Sequence, residues 1–412
     1  MAKDVTRTST GSYDENQRAK LKRHLVALNR KIRSAIPPVS DSFQTQRVSI
    51  SEVKEGYLDG KAIRRVIVIL RSTGCSWALG DEGGCFMCGH LAGTSCGSRI
   101  PPEDLITQFR DEVARYDFLQ HPMLCLYNSG SFLNENEIDS EVRSQILKTI
   151  VGIRGLKRLI IESRPEFITE RVVEELEENL PGIDIEIGVG LETRHDNIRD
   201  LCLNKGITSD SFVKLGKMMR GRRLQLLAYV LLKPPFLTER EAISEACATI
   251  EFAFDIGFSI VSLEPVSVQD FTLTDYLHRA GYYRPPWIWS AIEVIKRTCE
   301  LGFIRIGGFE FFPVPRLFSH NCEKCNEKSI RAVQSFNMRQ SPDVFDSLAC
   351  ECQSEWEEDL KVHATDLETR ISTILEAVSE ENVLRRIQMG HISHGAISTV
   401  STLFAVCSTP NL

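Results

Sequence analysis

From about residue 62 to residue 310, short apolar runs alternate with amphipathic stretches, and this rhythm narrows the possible folds more than any other feature of the 412 residues. Strand-like runs fall at 66–70 (VIVIL), 123–127 (MLCLY), 158–162 (RLIIE), 185–192 (IEIGVGLE), 224–232 (LQLLAYVLL) and 259–265 (SIVSLEP). Between them, 102–116, 139–153, 169–179, 210–219 and 239–255 carry helical periodicity. Strands joined through helices pair in parallel, because a parallel pair needs a long crossover. Their near-continuous apolar character means that both faces of the sheet are covered. The chain is therefore α/β. A doubly wound sheet and a full or partial barrel both satisfy the alternation, and periodicity does not choose between them.

Outside this region the sequence changes character. Residues 1–15 are polar and expected to lack structure; Leu21, Leu25, Leu28 and Ile32 recur at helical spacing over 16–34, and Pro37-Pro38 stops that helix. After Pro315 comes a polar, cysteine-bearing segment, then a charged helical stretch over 354–388 and a small-residue tail from Gly390. A hydrophobic content of 42% and a charged content of 25% are those of a soluble globular protein. No apolar run is long enough to span a bilayer, and the N-terminus has no secretory core. A cytoplasmic protein without membrane contact is expected. With a net charge of −7 the chain lacks the overall basic character of an autonomous nucleic-acid binder. Its basic patches, Arg18 to Arg33 and Lys214 to Arg223, read as solvated helix faces, so a large nucleic-acid substrate would need a partner protein.

Thirteen cysteines in a reducing compartment point to metal wherever they cluster. Cys96, Cys125, Cys202, Cys247, Cys299 and Cys407 are scattered and read as small buried hydrophobes. Cys75, Cys85 and Cys88 share a glycine-rich loop, GCSWALGDEGGCFMCGH, directly after the first apolar strand. A structural zinc site closes with four protein ligands, and His90 could supply the fourth. The position favours the other reading, since active sites of α/β folds gather at the C-terminal ends of strands. A [4Fe–4S] cluster held by three thiolates leaves one iron open. The amino and carboxylate groups of S-adenosylmethionine (SAM) can chelate that iron, beside a one-electron donor that breaks the carbon–sulfur bond to give a 5′-deoxyadenosyl radical.

Three cysteines after the first strand of such an array resemble the radical SAM superfamily, and the long first gap resembles its Elp3-like branch. The stretches GCSWALGDEGGCFMCGH, LYNSGSFLNENEI, IIESRPEFIT, GVGLET, NKGIT, LLKPPFLTEREAI, YYRPPWIWS and NCEKCNEKS with LACECQSEW are similar, in this order, to the radical SAM subunits of archaeosine synthases, over about residues 66–356. The resemblance implies a partial (βα)6 TIM-type barrel with an N-terminal helical extension and a small C-terminal cysteine-rich, metal-binding segment. The expected division is 1–60 for the extension, 61–315 for the radical SAM core, 316–356 for a four-cysteine zinc-ribbon-like segment, and 357–412 for a helical region and polar tail.

The same resemblance implies roles at the strand ends. Asn128, Ser129, Gly130 and Ser131 match the segment that binds the SAM amino group. Glu162 could accept ribose hydroxyls, Arg164 could pair with a carboxylate, and Glu192 could face the pocket, although a structural ion pair fits Glu162 and Arg164 equally well. Lys233, Glu264 and Gln269 sit where they would face substrate or SAM. Trp287 and Trp289 read as core, with base stacking the lesser alternative.

Cys322 and Cys325 form CxxC, and Cys350 and Cys352 form CxC. Four thiolates so spaced suit zinc, with an auxiliary iron–sulfur cluster as the alternative and His320 as a substitute ligand. The function implied is radical cleavage of a C–N bond in a lysine-bearing 7-deazaguanine of tRNA, giving archaeosine. A partner lysine transferase would bind the tRNA, and an external donor would supply electrons. Two alternatives stand beside it: the same chemistry on another modified nucleoside or small molecule, and a non-catalytic zinc-ribbon interaction protein.

Overall fold

The computed structural model describes residues 14–39, 43–309 and 311–378. The expected unstructured start and the polar tail lie outside the described residues, apart from Asp14, which caps the first helix, and Glu15, which begins it. A single eight-stranded sheet organises the rest: β1 (Ile50–Leu58), β2 (Lys61–Ile69), β3 (Met123–Tyr127), β4 (Arg158–Glu162), β5 (Asp184–Glu192), β6 (Gln225–Leu232), β7 (Ile260–Pro265) and β8 (Phe303–Ile306), in that spatial order. From β2 onward every pairing is parallel. Only β1 runs antiparallel, joined to β2 by Asp59-Gly60, both with positive φ. That is the Asp-Gly signature of a tight type I′ hairpin.

Helices fill the crossovers and both ends. They are α1 (Glu15–Arg33), α2 (Ser76–Leu79), α3 (Pro102–Val113), α4 (Ser140–Val151), α5 (Glu170–Asn179), α6 (Asp196–Leu201) and α7 (Ser209–Met219). The series continues with α8 (Glu239–Ile256), α9 (Leu273–Arg279), α10 (Ile288–Thr298), α11 (Asn326–Arg339), α12 (Gln353–Leu360) and α13 (Leu367–Val378). Local chemistry sets several boundaries. Asp14 caps α1 and Thr238 caps α8, each closing a capping box, and Gly257 in the left-handed region ends α8.

The sheet curls. Tyr57 on one edge strand stacks on Phe303 of the other, with ring centroids 5.3 Å apart, although no ladder joins β1 to β8. The result is the expected partial barrel, with two strands more than the six apolar runs indicated. Side-chain alternation separates its faces. Val66, Val68, Leu124, Leu126, Leu159, Ile161, Val261 and Leu263 point outward, are buried, and form the main core with the helices. The inward row carries Tyr127, Glu162, Tyr229, Glu264 and Arg305, all only partly buried, so the lumen is a polar cleft. Trp287 and Trp289 are 6% and 4% exposed and belong to the core; the reading of them as base-stacking platforms gains no support.

Candidate active site

The loop between β2 and α3 carries Cys75, Cys85 and Cys88 at the C-terminal mouth of the barrel. Cys75 caps α2 and Cys85 is buried. Cys85 lies near enough to both Cys75 and Cys88 to hinder their ionisation. Burial is the largest influence on Cys75 and, with Glu137, pushes its thiol up to about 12; burial and Cys85 raise Cys88. Without metal Cys75 and Cys88 hold their protons, and a metal would have to displace them. His90 Nδ1 is turned to the Phe312 carbonyl at 2.8 Å and joins no tight ligand group among the described residues.

Residues far apart in sequence hold this loop. Glu137 accepts from the Ser76 amide and hydroxyl at 2.9 and 2.8 Å and from the Ser131 amide at 2.6 Å. Its carboxylate also fills the space that a Cβ at Gly130 would need, and that Cβ would lie 3.2 Å from Cys75 Cα, so glycine is required there. Asn204 donates to the carbonyls of Glu82 and Gly84 at 2.7 and 2.8 Å, while Trp77 Nε1 donates to the Asn204 carbonyl at 2.7 Å. Asn29 of α1 donates to the Gly83 carbonyl at 2.9 Å. Glu137 and Asn29 escaped the sequence reading, while Asn204 enters it only as part of NKGIT, without a role.

The residues singled out at the strand ends divide into two groups. Glu162 and Glu264 face the lumen. Tyr229 donates to Glu162 at 2.6 Å and Ser262 to Glu264 at 2.6 Å. Burial raises the pKa of both, taking Glu264 up to about 7. Glu192 has φ +66° and meets Lys205 Nζ at 2.7 Å; Lys205 also lies in the field of Cys85. Asn128 and Ser131 are buried against the loop, and Asn128 Oδ1 has no hydrogen-bond partner. Ser129, Glu192 and Lys233 all have positive φ at the barrel rim, a conformation that non-glycine residues adopt at a cost and that gathers at functional sites.

The other group is bound up in the scaffold. Arg164 pairs with Glu166 at 2.6 Å and lies over the Trp77 ring. Lys233 pairs with buried Glu239 at 2.6 Å, which in turn accepts from the Trp287 amide and the Ser290 hydroxyl. Gln269 accepts from the Gly89 amide at 2.5 Å. It braces the cysteine loop.

The second cysteine group converges fully. Cys322, Cys325, Cys350 and Cys352 have all four sulfurs within 4.8 Å of one another, the single such ligand group among the described residues. Contacts of 3.7, 3.4 and 3.6 Å link Cys322 to Cys325, Cys322 to Cys350, and Cys325 to Cys352. Two of the thiols stand at helix starts, Cys325 before α11 and Cys352 before α12, with no strand between residues 316 and 356. The segment is thus helical where a ribbon was expected, because α11 has an apolar face that packs against β8. Burial opposes ionisation of Cys322, yet hydrogen bonds with Cys350, Cys352 and Cys325 outweigh it and bring the thiol down to about 7. His320 is turned to the Phe318 carbonyl and stands outside the group.

No family model matches the chain. It is 32% identical to the archaeosine synthase subunit beta of Methanosarcina acetivorans over 74% of this chain and 87% of that one. With the archaeosine synthase subunit beta of Thermococcus kodakarensis it shares 28% identity, over 74% of this chain and 94% of that one. Among solved structures, Elp3 of Methanocaldococcus infernus aligns over 58% of this chain and 60% of that one, at 16% identity and a TM-score of 0.42.

Proposed function

The chain belongs to the archaeosine synthase subunit beta family, and from that premise we propose that it is a radical SAM enzyme of tRNA modification, cleaving a C–N bond in a lysine-bearing 7-deazaguanine. The observation that carries the reading is the meeting of three cysteines with a polar, half-open lumen at the barrel mouth. The donor set fits a cluster of several irons. Three soft thiolates lie in mutual electrostatic reach without closing to the 4.8 Å of the second group. Cys75, Cys85 and Cys88 would hold a [4Fe–4S] cluster that, with SAM bound, supplies one-electron cleavage of the cofactor's carbon–sulfur bond.

The protein's own residues bind, orient and exclude. Asn128, with its unpartnered buried oxygen, and the rim backbone at Ser129, Gly130 and Ser131 would receive the SAM amino group. Glu162 and Glu192 would take hydroxyl and amino contacts at the lumen. Glu264, neutral or ionised near neutral pH, would meet the cationic lysine-derived group. Lys233, Arg164 and Gln269 fit better as positioning residues, since Lys233 and Arg164 pair with Glu239 and Glu166 and Gln269 braces the cysteine loop through the Gly89 amide. A radical step suits this substrate because an unactivated C–H bond gives an acid or base no purchase.

For the second group we propose zinc. A tetrahedral ion with Zn–S bonds of about 2.3 Å sets its sulfurs about 3.8 Å apart, close to the 3.4–3.7 Å separations here. A four-iron cube would spread them farther. The relatives' designation as a subunit, and the net charge of −7, support a separate partner that binds tRNA and attaches lysine. An external one-electron donor and a cytoplasmic site complete the reading; no described helix is long and apolar enough to cross a membrane.

Anaerobic reconstitution with iron and sulfide tests the proposal. The wild-type chain should take up about four irons at the first loop, and release 5′-deoxyadenosine from SAM with a strong reductant. Release should rise with tRNA carrying the lysine-modified base. Cys85→Ser should lose cluster and turnover together. A colourless protein holding zinc alone would remove the enzyme reading.

A further inference from the structure

Four arginines of the described chain are buried: Arg33, Arg143, Arg164 and Arg199. Three of them meet carboxylates, Arg143 with Glu175, Arg164 with Glu166 and Arg199 with Asp196. Arg33, the last residue of α1 and 7% exposed, has no such partner among the described residues. One terminal nitrogen donates to the carbonyls of Cys85 and Cys88 at 2.8 and 2.6 Å. Its Nε and its other terminal nitrogen are buried and donate to nothing. An uncompensated buried guanidinium costs several kcal/mol, so a chain that keeps one has a negative group to set against it.

The surroundings name that group. Arg33 lies directly against the backbone that carries Cys85 and Cys88, and Gly84 makes room, since a Cβ there would lie 3.2 Å from Arg33 Cζ. Lys205, a further cation near this loop, is already neutralised by Glu192 at 2.7 Å. Among the described residues that donate to the carbonyls of Cys85 and Cys88, Arg33 keeps two buried nitrogens that meet no acceptor.

We propose that Arg33 is the counter-ion of the iron–sulfur cluster, its two unpartnered donors directed to sulfur on the Cys85–Cys88 side and its charge setting the cluster's reduction potential. The inference rests on the reading of the three cysteines as a cluster site. Net charge and hydrogen bonds to sulfur govern such potentials, and a nearby cation favours the reduced, more negative form. Arg33 is therefore a positioning and tuning residue from outside the barrel.

Reconstituted wild type, Arg33→Lys and Arg33→Gln should be compared by iron content and by redox titration followed through electron paramagnetic resonance. Arg33→Gln should shift the midpoint to a more negative potential, with Arg33→Lys between it and wild type. If Arg33→Gln takes up no cluster while Arg33→Lys does, the need for charge is equally supported. Identical midpoints in all three proteins would overturn the proposal. So would loss of the cluster from both variants, because the carbonyl hydrogen bonds and not the charge would then be what matters. Failure of the wild type to load any cluster would instead defeat the reading of the three cysteines.

Discussion

Glu264 ends the inward row of β7 with one oxygen 2.6 Å from the Ser262 hydroxyl. Gly307 faces it, and a Cβ at that position would collide with the carboxylate. Burial, the dominant influence, takes the group up to about 7, well above an ordinary carboxylate. The folded chain therefore holds a proton that the unfolded chain releases near the usual carboxylate pKa. Stability from this source is complete below that value and is lost as pH climbs through about 7. Glu264→Gln cannot ionise, so its melting temperature should gain on wild type as pH rises from about 5 to about 8. Melting curves that stay parallel across that range would defeat the assignment. Position at a strand end made Glu264 legible in the sequence. Arg33 and Asn29 were not, because within ENQRAKLKRHLVALNRKIR they look like part of a solvated basic face; their burial depends on a cysteine loop more than fifty residues away. Glu137 was hidden for the same reason, since its partners come from two separate loops.

At the scale of elements, α7 and α8 touch where side chains are smallest. Gly216 of α7 faces the Ile256 carbonyl at the end of α8, and a Cβ there would run into that oxygen. A backbone carbonyl cannot swing aside as a side chain would. Gly216→Ala should therefore destabilise by about 1–3 kcal/mol, despite alanine's better helix propensity. Urea unfolding of the two proteins measures this, and a variant as stable as wild type would mean that the helices part freely. The six strands read from the sequence share a cause: each carries an apolar run whose outward face packs into the main core. The two that escaped lie at the sheet edges. In β1, ISEVKEGYL mixes charge among its apolar residues, as an edge strand exposed along one side must. In β8, FIRI is short, and its Arg305 is charged because it turns into the lumen to meet Glu186 at 2.8 Å. An inward polar row interrupts the apolar pattern that periodicity depends on.

Across the whole molecule, a partial barrel has an open edge to protect, and β8 provides it. Helix α11 covers that edge with side-chain amides. The Ile306 amide donates to Asn337 Oδ1 at 2.8 Å, and Asn337 Nδ2 donates back to the Ile306 carbonyl at 2.8 Å. Gln340 Oε1 accepts from the Ile304 amide at 3.3 Å. A helix thus meets hydrogen-bonding groups that another strand would otherwise take, a guard against edge-to-edge association. The cysteine group at the N-terminus of α11 ties it to α12, where Cys352 accepts from buried Trp289 Nε1 at 3.3 Å. With zinc in that group, metal binding and coverage of the edge become one equilibrium, because ligands shared by two helices bind only when both are docked. Stripping the metal with a strong chelator should lower the melting temperature and promote association of the freed β8 edge, visible as light scattering, and zinc should restore both. Cys350→Ser should behave like the stripped protein even in excess zinc, while leaving iron uptake at the first loop intact. A metal-free chain that stays monodisperse and melts like the untreated one would show that α11 guards the sheet on packing alone.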